Sequence, residues 1–93
     1  MPVATGLSAW PNPFRSELAV RFAPPEAGDV DVAVYDVTGR RVRQLYRGPM
    51  SPGAAQLEWD GRDEAGARVS TGVYIVRANS GEREVSAKVL RLE

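Results

Sequence analysis

The chain has no cysteine and no histidine. The first absence excludes disulfides, thiolate nucleophiles and cysteine-held zinc. The second removes the commonest general base and the side chain that titrates near neutral pH. A net charge is also lacking, because twelve basic residues meet twelve acidic ones. No global field therefore draws in nucleic acid or an anionic membrane, and neither is expected as a partner. No apolar run approaches the roughly 18–20 residues of a membrane-spanning helix, so membrane insertion is not expected. The first residues, Met1-Pro2-Val3-Ala4-Thr5-Gly6, show no charged segment followed by an apolar one, and no signal peptide is expected there. What remains is a 93-residue chain that is 43% apolar, enough for one modest core. Residues 1–6 are expected to be a disordered or expression-derived lead, and 7–93 a single domain.

Turn residues punctuate the chain at the spacing of an all-β sandwich. Leu18, Val20 and Phe22 share one face of a strand, and Pro24-Pro25-Glu26-Ala27-Gly28 stops it. Val30, Val32 and Val34 share one face of the next, with Asp31, Ala33 and Tyr35 on the other. Asp36-Val37-Thr38-Gly39-Arg40 is a hairpin turn, with aspartate opening a type I turn and Gly39 in the left-handed region. In the return strand over 41–47, Val42 and Leu45 are oddly spaced, which predicts a bulge. Residues 48–53 read as a loop, with Met50 plugging the edge of the core.

Leu57 and Trp59 end the strand over 54–59, and a long charged connection over 60–71 follows. The strand over 72–79 is apolar on both faces at Val73, Tyr74, Ile75 and Val76, a pattern that predicts a central strand covered on two sides. Asn79-Ser80-Gly81 then turns the chain into a last strand over 83–92. The two prolines of Trp10-Pro11-Asn12-Pro13-Phe14 confine residues 7–14 to a kinked edge strand. No segment has a convincing helical period. Together these features predict an immunoglobulin-like Greek-key β-sandwich of about seven antiparallel strands, with no substantial helix. Gly72-Val73-Tyr74 fits the corner of such a fold, where a tyrosine hydroxyl bonds back to the main chain. Val76 falls where an antibody domain places a disulfide cysteine.

Little here suggests chemistry. The six serines at 8, 16, 51, 70, 80 and 86 have no histidine to activate them, and no catalytic residue, cofactor or metal is expected. Asp60, Asp63 and Glu64 could face a hard cation, but the loop lacks the dense acidic spacing of calcium loops. The preferred reading is that Asp60 and Asp63 accept N–H bonds in their own turns. Arg40, Arg41, Arg43 and Arg47 could contact an anionic polymer, yet charge that protects an edge strand explains them as well. Alternation allows only some of the four to share a face. Trp10, Tyr35, Tyr46, Trp59 and Tyr74 could stack on sugar. Packing is the preferred reading for them, with Trp59 and Tyr74 in the core and Tyr35 the best candidate for an exposed ring.

Six motifs in order carry a family resemblance over roughly residues 7–92. They are Pro11-Asn12-Pro13-Phe14, Leu18 to Phe22 with Pro25-Glu26-Ala27-Gly28, Val34-Tyr35-Asp36-Val37-Thr38-Gly39-Arg40-Arg41-Val42, Trp59-Asp60-Gly61-Arg62-Asp63 with Gly66, Gly72-Val73-Tyr74, and Lys88-Val89-Leu90. The sequence resembles the immunoglobulin-like domain shared by flagellar hook-capping proteins and by the C-terminal sorting domains of type IX secretion substrates. The resemblance implies a non-catalytic accessory or sorting domain of an exported bacterial protein, secreted or at the cell surface. Its partners would be secretion or surface-anchoring proteins and the upstream domains of its own parent protein. Recognition would lie in the last strand, at Lys88, Val89, Leu90 and Leu92, through an exposed edge or terminal strand. Asp36, Gly39, Trp59, Asp60, Gly61, Gly72 and Tyr74 would be turn and core residues. The alternatives are a scaffold domain of a hook-capping-type protein and a carbohydrate-binding appendage of a secreted hydrolase.

Overall fold

In the computed structural model, which describes residues 6–81 and 83–93, the alternating segments become seven strands. These are β1 (Leu7–Trp10), β2 (Leu18–Phe22), β3 (Gly28–Asp36), β4 (Arg41–Met50), β5 (Ala55–Trp59), β6 (Gly72–Ser80) and β7 (Arg83–Arg91). Two sheets form, one in the order β1-β2-β5 and one in the order β4-β3-β6-β7. Every strand pair in them is antiparallel. The fold is an all-β immunoglobulin-like sandwich, and no described residue is helical. Apart from Gly6, the lead expected over 1–6 lies outside the described residues. Gly6 itself accepts the N–H of Ala23 at 2.9 Å, next to the first strand pair.

Alternation decides what is buried. Leu18, Val20 and Phe22 from one sheet meet Val30, Val32, Val34, Val76, Ala78 and Val89 from the other, all nearly inaccessible to solvent. Trp59 lies at one end of this core, 1% exposed. Its ring centroid is 5.4 Å from that of Phe14 and 5.6 Å from that of Tyr74, within the range where tilted aromatic pairs attract. Its indole N–H donates to the Arg62 carbonyl at 2.9 Å, so its one polar group is satisfied.

Two boundaries differ from expectation. The segment over 7–14 is not one edge strand. β1 ends at Trp10, and Phe14 then pairs in parallel with Arg91 of the opposite sheet. The prolines end the first ladder, and the chain crosses to the second. The strand β4 also runs to Met50, past the expected loop start at Gly48. It is an edge strand, so Pro49 can sit in it with no ladder bond lost. Met50 is half-buried against the core.

The β3–β4 register slips between Val32 and Ala33 and again between Val34 and Tyr35. The pairings pass from Tyr46 to Gln44 and from Arg43 to Arg41, so Leu45 and Val42 are the extra residues. Each slip turns one apolar side chain inward: Val42 is buried and Leu45 packs against the core.

The third departure concerns β6. It is central, between β3 and β7, but it is covered on one side only. Tyr74, Val76 and Ala78 face the core, whereas Val73 is 36% exposed on the outer face. Ile75 beside it is half-buried by its cross-strand neighbours.

Trp59→Ala removes the ring that joins Phe14 to Tyr74 and should destabilise the domain by about 3–5 kcal/mol in chemical denaturation. Gly39 sits at φ 91°, where a β-branched residue is strained. Gly39→Val should cost about 1–2 kcal/mol in the same assay.

Candidate functional site

The turns come first, because they fix where the strands end. In the β3–β4 hairpin, Asp36 Oδ1 accepts the N–H of Thr38 at 3.0 Å, the Thr38 hydroxyl at 2.6 Å and the N–H of Arg40 at 3.0 Å. The main chain closes the turn with Gly39 N–H donating to the Asp36 carbonyl and Asp36 N–H donating to that of Arg40, both at 3.0 Å. The connection between β5 and β6 repeats this device. Asp63 Oδ1 accepts the N–H groups of Ala65 and Ala67 at 3.0 Å each. Gly66 N–H donates to the Asp63 carbonyl at 3.0 Å and Asp63 N–H to that of Ala67 at 2.9 Å. Both turns read Asp-x-x-Gly, so one sequence pattern builds one geometry twice.

Asp60 accepts the N–H of Arg62 at 3.1 Å and lies 3.4 Å from Arg43 Nη1. Glu64 Oε2 accepts the N–H of Gln44, and Glu64 N–H donates to the Val42 carbonyl. The acidic loop thus binds its own turns and the free edge of β4. Among the described residues no group of three or more acidic side chains is arranged to hold a metal ion.

The Thr38 hydroxyl, with the two N–H groups and Arg40 adding to it, holds the Asp36 carboxyl below its ordinary value of 3.8. A carboxyl with a depressed folded-state value stabilises the fold fully above its unfolded value. That contribution is lost as pH falls through the folded value. Tyr74 behaves oppositely, its phenol pushed up by burial. Its hydroxyl donates to the Ser70 carbonyl at 2.7 Å, which ties the corner before β6 to the strand itself. Gly61 is at φ 75°, and a Cβ there would come 3.4 Å from the Ser16 carbonyl. Gly72, at φ 146° with nothing near, starts β6.

The last strand has an edge and a face. Along the edge, Asn12 Nδ2 donates to the Lys88 carbonyl at 3.0 Å and Leu90 N–H donates to Asn12 Oδ1 at 2.9 Å. Phe14 N–H donates to the Leu90 carbonyl at 2.9 Å, and Leu92 N–H to that of Phe14 at 2.8 Å. The edge from Lys88 to Leu92 is therefore occupied by the chain's own Asn12–Phe14 segment. Val89 faces the core at 1% exposure, while Leu90 at 36% and Leu92 at 37% are accessible.

On the outer face of the four-stranded sheet, the registers align rows of side chains. One row runs Arg41, Tyr35, Ile75, Lys88. The next pairs Val73 with Leu90, and Val37 in the hairpin turn is 69% exposed. Below lie Gln44, Ala33, Arg77, Ser86, and then Arg47, Asp31, Asn79, Glu84. Arg77 lies 4.5 Å over the Tyr35 ring and pairs with Glu84 at 2.8 Å. Gln44 Nε2 donates to Asp31 at 3.0 Å. Among the described residues neither Arg41 nor Lys88 has an ion-pair partner.

Of the residues singled out in the sequence, Lys88 and Leu90 meet on this face. Val89 does not, and Asp36, Gly39, Trp59, Asp60, Gly61, Gly72 and Tyr74 lie in turns and core. The four arginines split. Arg40 pairs with Asp36 at 3.9 Å and Arg43 turns toward Asp60, while Arg41 and Arg47 share the outer face. Of the aromatics, it is Trp10 that is exposed, on the three-stranded sheet, whereas Tyr35, expected to be the exposed ring, is half-buried under Arg77 on the four-stranded one. Val37, Val73 and Ile75 are not among the surface groups expected from the sequence; for Val73 and Ile75, the apolar residues on both faces of β6 are the available signal.

Below pH 4, the Tm of wild type should fall as the Asp36 carboxylate is protonated. Asp36→Asn should lower Tm at neutral pH and flatten that acid limb, as read by thermal melts from pH 7 to pH 2.

Solved structures resemble this fold closely. Dimeric latent PorU from Porphyromonas gingivalis matches 92% of the chain with a TM-score of 0.73 and 24% identity. PorZ, an essential bacterial surface component of the type IX secretion system of the same organism, matches 95% with a TM-score of 0.64 and 26% identity. FlgD from Xanthomonas campestris, a protein of hook capping in flagellar assembly, matches 92% with a TM-score of 0.62 and 24% identity. The chain spans 9% of that PorU, 12% of that PorZ and 62% of that FlgD. Among curated proteins there is no match. The sequence model of the FlgD Ig-like domain covers residues 14–84, most of the chain, and the chain belongs to that family.

Proposed function

We propose that this is a non-catalytic accessory and sorting domain of a larger exported bacterial protein, recognised by secretion or surface-anchoring machinery through β7. The observation that carries the reading is the division of labour along that strand. Val89 is buried at 1% exposure, whereas Leu90 is open. With the edge from Lys88 to Leu92 already bonded to Asn12 and Phe14, recognition falls to the outer face rather than to strand addition. Likeness to PorU and PorZ, of which this domain spans about a tenth, agrees with a module carried by a longer chain.

A second reading is favoured by the family match itself: a scaffold domain of a hook-capping-type protein, acting by protein–protein contact. Sugar binding has less support. Trp10 is exposed on the three-stranded sheet, while Tyr35 lies on the other sheet, half-buried under Arg77, so the two cannot form one stacking platform.

The test fuses a reporter upstream of residues 1–93 in a bacterium with a type IX system. Export of this fusion is expected, together with retention of a fusion lacking the domain. Retention of both, with the domain folded by circular dichroism, would overturn the sorting reading and favour the scaffold.

A further inference from the structure

We infer that the outer face of the four-stranded sheet, at the hairpin end, docks an acidic protein segment whose aliphatic side chains are flanked by carboxylates. The inference deepens the sorting reading and rests on it for biological context, but the surface can be tested without export.

The argument starts from β6. A strand open to solvent on one face normally alternates apolar with polar residues. Here Val73 and Ile75 both point outward, beside Leu90 and Tyr35 on the neighbouring strands. Val37 in the hairpin turn and Leu92 just after β7 are exposed as well, at 69% and 37%. Exposed apolar residues that sit singly need no explanation, but a contiguous group of this kind marks a contact site.

Charge then chooses the partner. The row through Ile75 ends in Arg41 on β4 and in Lys88 on β7, one cation on each side of the apolar centre. Arg77, just below, is held over Tyr35 and paired with Glu84. Of the other acids on this face, Asp31 accepts from Gln44, and the exposed Asp29 lies at the end of β3 far from the hairpin. Asp36 beneath the hairpin is bound into its own turn. At the hairpin end of this face the charges without an ion-pair partner among the described residues are thus the two cations, Arg41 and Lys88. A second copy would bring like charge to like charge, and a basic partner would do the same. An acidic segment instead places carboxylates on Arg41 and Lys88 while its aliphatic groups cover Val73, Ile75 and Leu90.

The experiment titrates the 15N-labelled 93-residue chain with two synthetic peptides that share a Leu-Val-Leu centre, one flanked by glutamates and one by lysines. The glutamate peptide should shift the amides of Tyr35, Val37, Val73, Ile75, Lys88 and Leu90, and bind about tenfold tighter than the lysine peptide at low salt. The preference should shrink as ionic strength rises. Arg41→Glu combined with Lys88→Glu, both solvent-facing and harmless to the core, should invert the ranking. Equal binding of both peptides, shifts on the three-stranded sheet, or no shifts at millimolar peptide would each overturn the inference. Failure of reporter export would leave a charge-selective binding result standing, so the two proposals fail separately.

Discussion

The sandwich depends on the place of Trp59. Its ring lies between Phe14, which belongs to the crossing segment, and Tyr74, which belongs to the opposite sheet. One side chain on β5, in the three-stranded layer, thereby packs against both the crossing segment and the four-stranded layer. The Phe14 main chain continues the link by pairing with β7 on either side of Arg91. The Tyr74 hydroxyl fixes the corner that delivers β6. Without the ring, each contact loses its neighbour, because interiors are packed too closely to relax around a gap.

This junction has a consequence for function. It commits the inward half of β7 to the core and the Lys88–Leu92 stretch of its edge to Asn12 and Phe14. What remains of that stretch for another molecule is one face. The Asp-x-x-Gly turns likewise spend the carboxylates of Asp36 and Asp63 on the chain's own N–H groups. The loops at this end therefore serve as structural clasps, and contact chemistry concentrates on the outer sheet.

Much of this was legible in the sequence because alternation and turn chemistry are local. Val30, Val32 and Val34 declare an inward face with no knowledge of the partner sheet. Asp36 and Gly39 specify their turn within five residues, and the odd spacing of Val42 and Leu45 signals a bulge, where the register slips twice. The role of Asn12 was not legible, since it reaches a strand 76 residues away. The switch of the Pro11–Phe14 segment between sheets was hidden for the same reason. The apolar pattern of β6 predicts burial on both sides, yet only Tyr74, Val76 and Ala78 are buried. A run of apolar residues does not tell a covered face from an open one, and it takes the structure to show that no strand of the described residues lies over Val73 and Ile75. Lys88 and Leu90 emerged from family resemblance, whereas Arg41 and Tyr35 join them only through strand register.

The central claim is that partners meet the outer face of the four-stranded sheet and not the other side of the sandwich. The direct test places a photo-crosslinking amino acid at Val73 or at Ser8, on the opposite sheet, in a fusion of a reporter upstream of residues 1–93, and irradiates cells of a bacterium with a type IX system that express it. The account predicts a discrete adduct from position 73 and none from position 8. Adducts from position 8 alone would contradict it.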